Sequence, residues 1–155
     1  MSNRSATHGT FALERVYDAS PTRVFKAWSD PEAKARWFVG PADWRLIERM
    51  IDFRVGGMEH LSGRKGNGIV STFDGHYHDI VPNRRIIYSY DMRLDQKHIS
   101  VSLATVELKV EGAGTKLTFT EQAVFLDGYD DSGSRERGTH ILLEQLGAEL
   151  QRGSR

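Results

Sequence analysis

Residues 117–125 alternate, and a period of two puts Glu121 on the same side as Leu117, Phe119, Ala123 and Phe125, with Thr118, Thr120 and Gln122 opposite. A carboxylate on an apolar strand face must find a cation or a hydrogen bond, because a lone buried anion is costly. The same environment tunes a general acid or base. Glu121 is therefore either a functional acid beside a ligand or a structural anion. In the structural reading Arg54 or Arg15 pairs with it, Tyr88 or Tyr90 donates to it, or a bulge turns it outward.

Asp74, His76 and His78 stand at i, i+2 and i+4, the residue types of a two-histidine, one-carboxylate metal site. Same-face neighbours on one strand are ~7 Å apart, so three in a row do not converge on one ion. Their parity also opposes that of Phe73 and Tyr77, which assigns them to the solvated face; no metal is expected. His60 shares a parity with Met58, and both are read toward the interior, His60 as a core or rim histidine ahead of a catalytic one. Residues 63–68 are glycine-rich and basic but join two strands, so they read as a hairpin loop and not a phosphate cradle. Asp127, Asp130 and Asp131 lack calcium-loop spacing and suit the dipole of a following helix. No nucleophile elbow, nucleotide fingerprint or triad appears. Catalytic residues are accordingly unassigned, and no cofactor is expected.

What the pattern does supply is a wall. Ile86, Tyr88, Tyr90, Met92 and Leu94 share one strand parity, and Phe73, Tyr77 and Val81 share another that faces the same way. With Phe119, Glu121 and Phe125 from the last strand, Trp37 from the helical segment before the sheet, Leu143 from the last helix, and Met58 and His60, they form a candidate ligand-contacting set. Tyr and Phe with few polar groups is the usual lining of a small-molecule site, and equally the filling of an ordinary core.

These residues need a scaffold, and the chain spells one out. Residues 10–19 read as a first strand after a polar tail over residues 1–9. Ser20-Pro21 and Asp30-Pro31 open two short consecutive helices, since proline is tolerated at a first helical position and not inside. From Trp44 to Phe125 six strands follow, joined by short glycine, asparagine and aspartate turns that force antiparallel neighbours. A polar loop, residues 127–134, leads into a helix whose apolar side is Ile141, Leu142, Leu143, Leu146 and Leu150. Strand, two helices, six strands and a helix describe an α+β domain with helices on one face of an antiparallel sheet.

The series Ala19-Ser20-Pro21, Val24-Phe25, Ala27-Trp28, Asp30-Pro31-Glu32, Trp37, Gly40-Pro41, Asp52-Phe53-Arg54-Val55-Gly56-Gly57, Arg85-Ile86 and Gly114-Thr115-Lys116-Leu117-Thr118 resembles the START-like, or SRPBCC, helix-grip superfamily. Within it, the chain is most similar to the bacterial branch named for the activator of the heat-shock protein 90 ATPase, over residues 10–152. The resemblance implies a curved antiparallel sheet of about seven strands wrapped around a long C-terminal helix. It also implies a ligand cavity between the two, and for Gly138-Thr139, where such sequences often carry Gly-Trp, a roomier or more polar end of that cavity. Superfamily members bind lipids and hormones or act as cyclases, so the fold does not choose the activity.

Composition narrows the choice. At 155 residues with 39% hydrophobic and 27% charged residues, the chain can bury a core of its own. Twenty-one basic and 21 acidic residues leave no positive field for nucleic acid or an anionic membrane, and neither is expected as a partner. The absence of cysteine excludes disulfides and thiolate chemistry. No apolar run approaches the ~18 residues of a membrane helix, and a cytoplasmic location is expected. The expected function is binding of a small apolar or aromatic molecule. A co-chaperone-like activator, or a cyclase or hydrolase using cavity polar groups, is the alternative, with a monomer and a homodimer both open.

Overall fold

The computed structural model describes residues 4–152. The elements are β1 (Ala6–Tyr17), α1 (Pro21–Ser29), α2 (Pro31–Trp37), β2 (Trp44–Ile51), β3 (Met58–Lys65), β4 (Val70–Val81), β5 (Arg85–Leu94), β6 (Lys97–Glu111), β7 (Gly114–Leu126) and α3 (Ser132–Arg152). The seven strands form one curved sheet in the order β1-β7-β6-β5-β4-β3-β2, every neighbour antiparallel. This is the expected helix-grip architecture: a meander from β2 to β7, with β1 returning to close on the last strand.

Local chemistry explains the joints. The Ser20 hydroxyl accepts the Arg23 amide and Pro21 opens α1, while Asp30 ends α1 and stands at the N-cap position of α2, ahead of Pro31, without a side-chain capping bond. The bend turns Trp28 and Trp37 edge to face, ring centroids 4.8 Å apart, and the Trp37 indole donates to the Ala27 carbonyl. The expected hairpin joins β3 and β4, but its turn spans residues 66–69, and residues 63–65, read as loop, pair within the sheet.

Three further boundaries differ from expectation. β1 begins at Ala6, not Thr10, because residues 6–9 pair with residues 123–126 of β7; of the segment read as a tail, residues 1–3 lie outside the described residues. A Cβ at Gly9 would come within 2.7 Å of the Ser132 side chain, so the glycine admits the start of α3 beside β1. α3 itself starts at Ser132, inside the stretch read as loop, since Asp131 accepts the Ser134 amide and caps it. In β4 a register shift between Tyr77 and Asp79 makes Ile80, not Val81, the next residue packed on the core.

α3 lies on the concave face through Thr139, Leu143, Leu146 and Leu150, all buried. Ile141, read as part of that stripe, is 57% exposed, because it sits two residues from Leu143 on the far side of the helix. Tyr17 donates to the Leu143 carbonyl at 2.7 Å, Arg23 to the Leu150 carbonyl, and Gln145 to the Trp37 carbonyl at 2.7 Å. Arg36 and Glu149 pair at 2.7 Å, joining α2 to α3. No helix among the described residues is long and apolar enough to cross a membrane.

Candidate functional site

Between α3, the sheet and the segment after α2 lies a cavity of about 430 Å³. The sheet contributes Phe73, Tyr88, Tyr90, Met92, Phe119 and Glu121. Trp28, Trp37 and Phe38 wall one side, and α3 supplies Arg135, Gly138, Thr139 and Leu143, among others. The aromatic rings brace one another: Phe73 stacks on Tyr90 at 4.8 Å and meets Phe38 edge-on at 5.3 Å. No Cβ neighbour crowds Gly138, so the helix leaves open space at this end.

Seven of the residues chosen from the sequence line this cavity: Trp37, Phe73, Tyr88, Tyr90, Phe119, Glu121 and Leu143. Four do not. Met58 and His60 point to the opposite face of the sheet, because β3 pairs them with His76 and Asp74; it is Glu59 and Leu61 that face inward. Met58 is 45% exposed, and His60 is held by Asp74 at 2.6 Å and Glu48 at 3.1 Å. Tyr77 is buried in a separate polar network, and Phe125 lies with its ring 5.3 Å from the Arg135 guanidinium. The Asp74, His76, His78 row sits on the outer face, where His78 bonds Ser89 at 2.7 Å. Among the described residues no three such side chains are grouped to hold a metal.

Glu121 is fully buried, as its strand parity requires, and of the partners expected for it one tyrosine is found and neither arginine is. Arg54 pairs with Asp52 and Arg15 with Glu144. Tyr90, as expected, donates to Glu121 Oε2 at 2.7 Å; the further partners, Ser102 at 2.8 Å and Arg135 Nη1 at 3.4 Å, were not anticipated. Arg135 also donates to the Tyr90 hydroxyl (3.0 Å), to Ser100 (2.8 Å) and to Asp130 (3.0 Å). Burial pushes the Tyr90 hydroxyl above its ordinary range, reinforced by Glu121. Burial alone would lower the Arg135 guanidinium, yet Tyr90, Glu121 and Asp130 together hold it above its usual value. Oε1 of Glu121 has no protein hydrogen-bond partner among the described residues.

A second buried network was not anticipated. Lys34 Nζ lies 2.6 Å from Glu59 Oε1 and donates to Tyr77 at 3.3 Å, while the Tyr77 hydroxyl donates to the same carboxylate at 2.5 Å. Its ammonium rests 4.6 Å from the centre of the Phe38 ring. Burial pulls Lys34 below its ordinary pKa, with Glu59 opposing; burial and Glu59 both push Tyr77 up. Both missed cations carried a signal in their spacing. Arg135 precedes Thr139 and Leu143 by four and eight residues, and Lys34 precedes Trp37 by three, so each shares a helix face with buried residues.

A family model described as Activator of Hsp90 ATPase homolog 1-like protein matches residues 18–151. No curated protein matches the chain. Among solved structures, an uncharacterised protein from Rhizobium leguminosarum is 48% identical, with TM-score 0.93 over 97% of this chain and 99% of that one. A protein from Rhizobium loti is 46% identical, with TM-score 0.88 over 94% and 99%. A protein from Chromobacterium violaceum is 28% identical, with TM-score 0.73 over 91% and 96%.

Proposed function

The chain belongs to the family described as Activator of Hsp90 ATPase homolog 1-like protein, and on that premise we propose that it binds a small, largely apolar or aromatic molecule between the sheet and α3. One observation carries this reading: a cavity of about 430 Å³ walled by mutually braced aromatic rings, within the size range of small-molecule sites. The polar groups around it serve this purpose. Arg135, Tyr90 and Ser102 all engage Oε2 of Glu121, which ties this wall together with little exposed charge and leaves Oε1 as its unbonded acceptor. A cytoplasmic location belongs to the same proposal.

Native mass spectrometry of protein purified from its own host tests it. A retained small molecule, released on denaturation, is the expected result. Ligand-free protein that also fails to take up aromatic probes would overturn it. A second reading, a chaperone partner, is favoured by the family description and by the apolar side chains Leu46, Ile47 and Met50 exposed on the edge strand β2. Stimulation of a chaperone ATPase that survives filling of the cavity with bulkier side chains would favour it.

A further inference from the structure

The segment after α2 has two sides. Val39, Gly40 and Pro41 line the large cavity and also wall a second hollow of about 370 Å³, bounded by Trp44, Arg45, Arg49 and Leu61. The two compartments therefore lie on either side of a wall three residues long, which a ligand using both has to cross. Their chemistry differs: the first is a box of rings, and the second presents two guanidinium groups.

Those guanidinium groups are not spent on carboxylates. Among the described residues neither Arg45 nor Arg49 makes an ion pair; Arg49 donates to the Phe38 carbonyl at 3.1 Å and Arg45 to the Gly66 carbonyl at 3.2 Å. Arg49 is half-buried and opposes Leu61, which packs against the core, so it projects from the concave face. Burial lowers its pKa, with Glu59 opposing. Glu59 acts on Arg49 only through its field: its carboxylate is bonded by Lys34 and Tyr77, and among the described residues it makes no ion pair with Arg49. A half-buried guanidinium with donors to spare is a ready receptor for a planar carboxylate.

We propose that the second compartment is an anion subsite of the same ligand: an amphipathic acid places its apolar body in the aromatic cavity and its carboxylate on Arg49, with Arg45 at the rim. The subsite rests on the reading of the large cavity as a ligand site and adds the charge that the ligand carries.

Paired probes separate the two ideas. Decanoate and decan-1-ol, each below its micellar concentration, are titrated into the full chain while tryptophan fluorescence is followed, at low and at high salt. Decanoate is expected to bind at least tenfold tighter at low salt, with the preference shrinking as salt rises. Arg49→Gln is expected to cut that preference at least fivefold, and the exposed Arg45→Gln about twofold without touching the core. Reading the preference as a ratio cancels any general loss of fold. Equal affinities in the unaltered protein overturn the anion subsite alone. A preference that survives both substitutions also overturns it. Failure of both probes to bind overturns the subsite together with the cavity reading.

Discussion

Glu121 and Arg135 illustrate how a buried anion is held. Replacing Arg135 by Ala strands a fully buried carboxylate and is expected to cost about 3–5 kcal/mol, read from urea unfolding. Glu121→Gln keeps the shape and the bonds from Tyr90 and Ser102, and leaves Arg135 with Asp130, which is partly exposed. It is expected to cost less, about 1–3 kcal/mol, while changing the affinity of an apolar probe by under threefold. An intact fold with binding abolished would instead make Glu121 a functional acid. Lys34 offers a parallel case: Lys34→Met leaves Glu59 buried with Tyr77 as its one donor, and a second change, Glu59→Leu, is expected to restore most of the loss.

At the scale of elements, α3 is the part that clamps the molecule. Leu146 is completely buried, and Leu146→Ala is expected to cost about 2–5 kcal/mol; an unchanged melting temperature would contradict the packing. Gly9→Ala should lower stability too, since its Cβ meets Ser132 at 2.7 Å where β1 passes the start of the helix. Periodicity made the strands and five of the seven cavity residues legible, because alternation is set by the pleat itself, while Trp37 and Leu143 followed from helical spacing. It failed where pairing, not local pattern, decides. Met58 and His60 follow the same alternation as their neighbours, but only the register against His76 and Asp74 reveals which face is outside. The bulge that displaces Val81 has no sequence signature of its own, and the polar composition of residues 127–134 concealed a capped helix start. Both buried cations were hidden by their charge, although their helical spacing marked them.

The whole molecule stores its tyrosines in the folded state. Tyr17, Tyr77, Tyr88 and Tyr90 all have hydroxyl pKa values raised, chiefly by burial. A raised folded pKa means that stability is intact below the unfolded value of about 10 and is lost as pH climbs beyond it, by up to about 1.4 kcal/mol per pH unit for each group. Lys34 acts in the opposite sense, gaining stability as pH rises toward the unfolded lysine value, but it is one group against four. In a Tyr129→Phe background, which removes the exposed ring, cooperative alkaline unfolding above pH ~10 with tyrosinate absorbance appearing in the same transition is the expected outcome; tyrosinate forming in a protein that stays folded would refute it. The pairing of β1 with β7 has a temporal consequence as well. Ala6 lies opposite Leu126, so β1 gains its neighbour only after the five strands between it and β7 in sequence have been made. Non-local closure of this kind slows folding, and until it occurs the edge of β7 is open and α3 has no β1 to pack against.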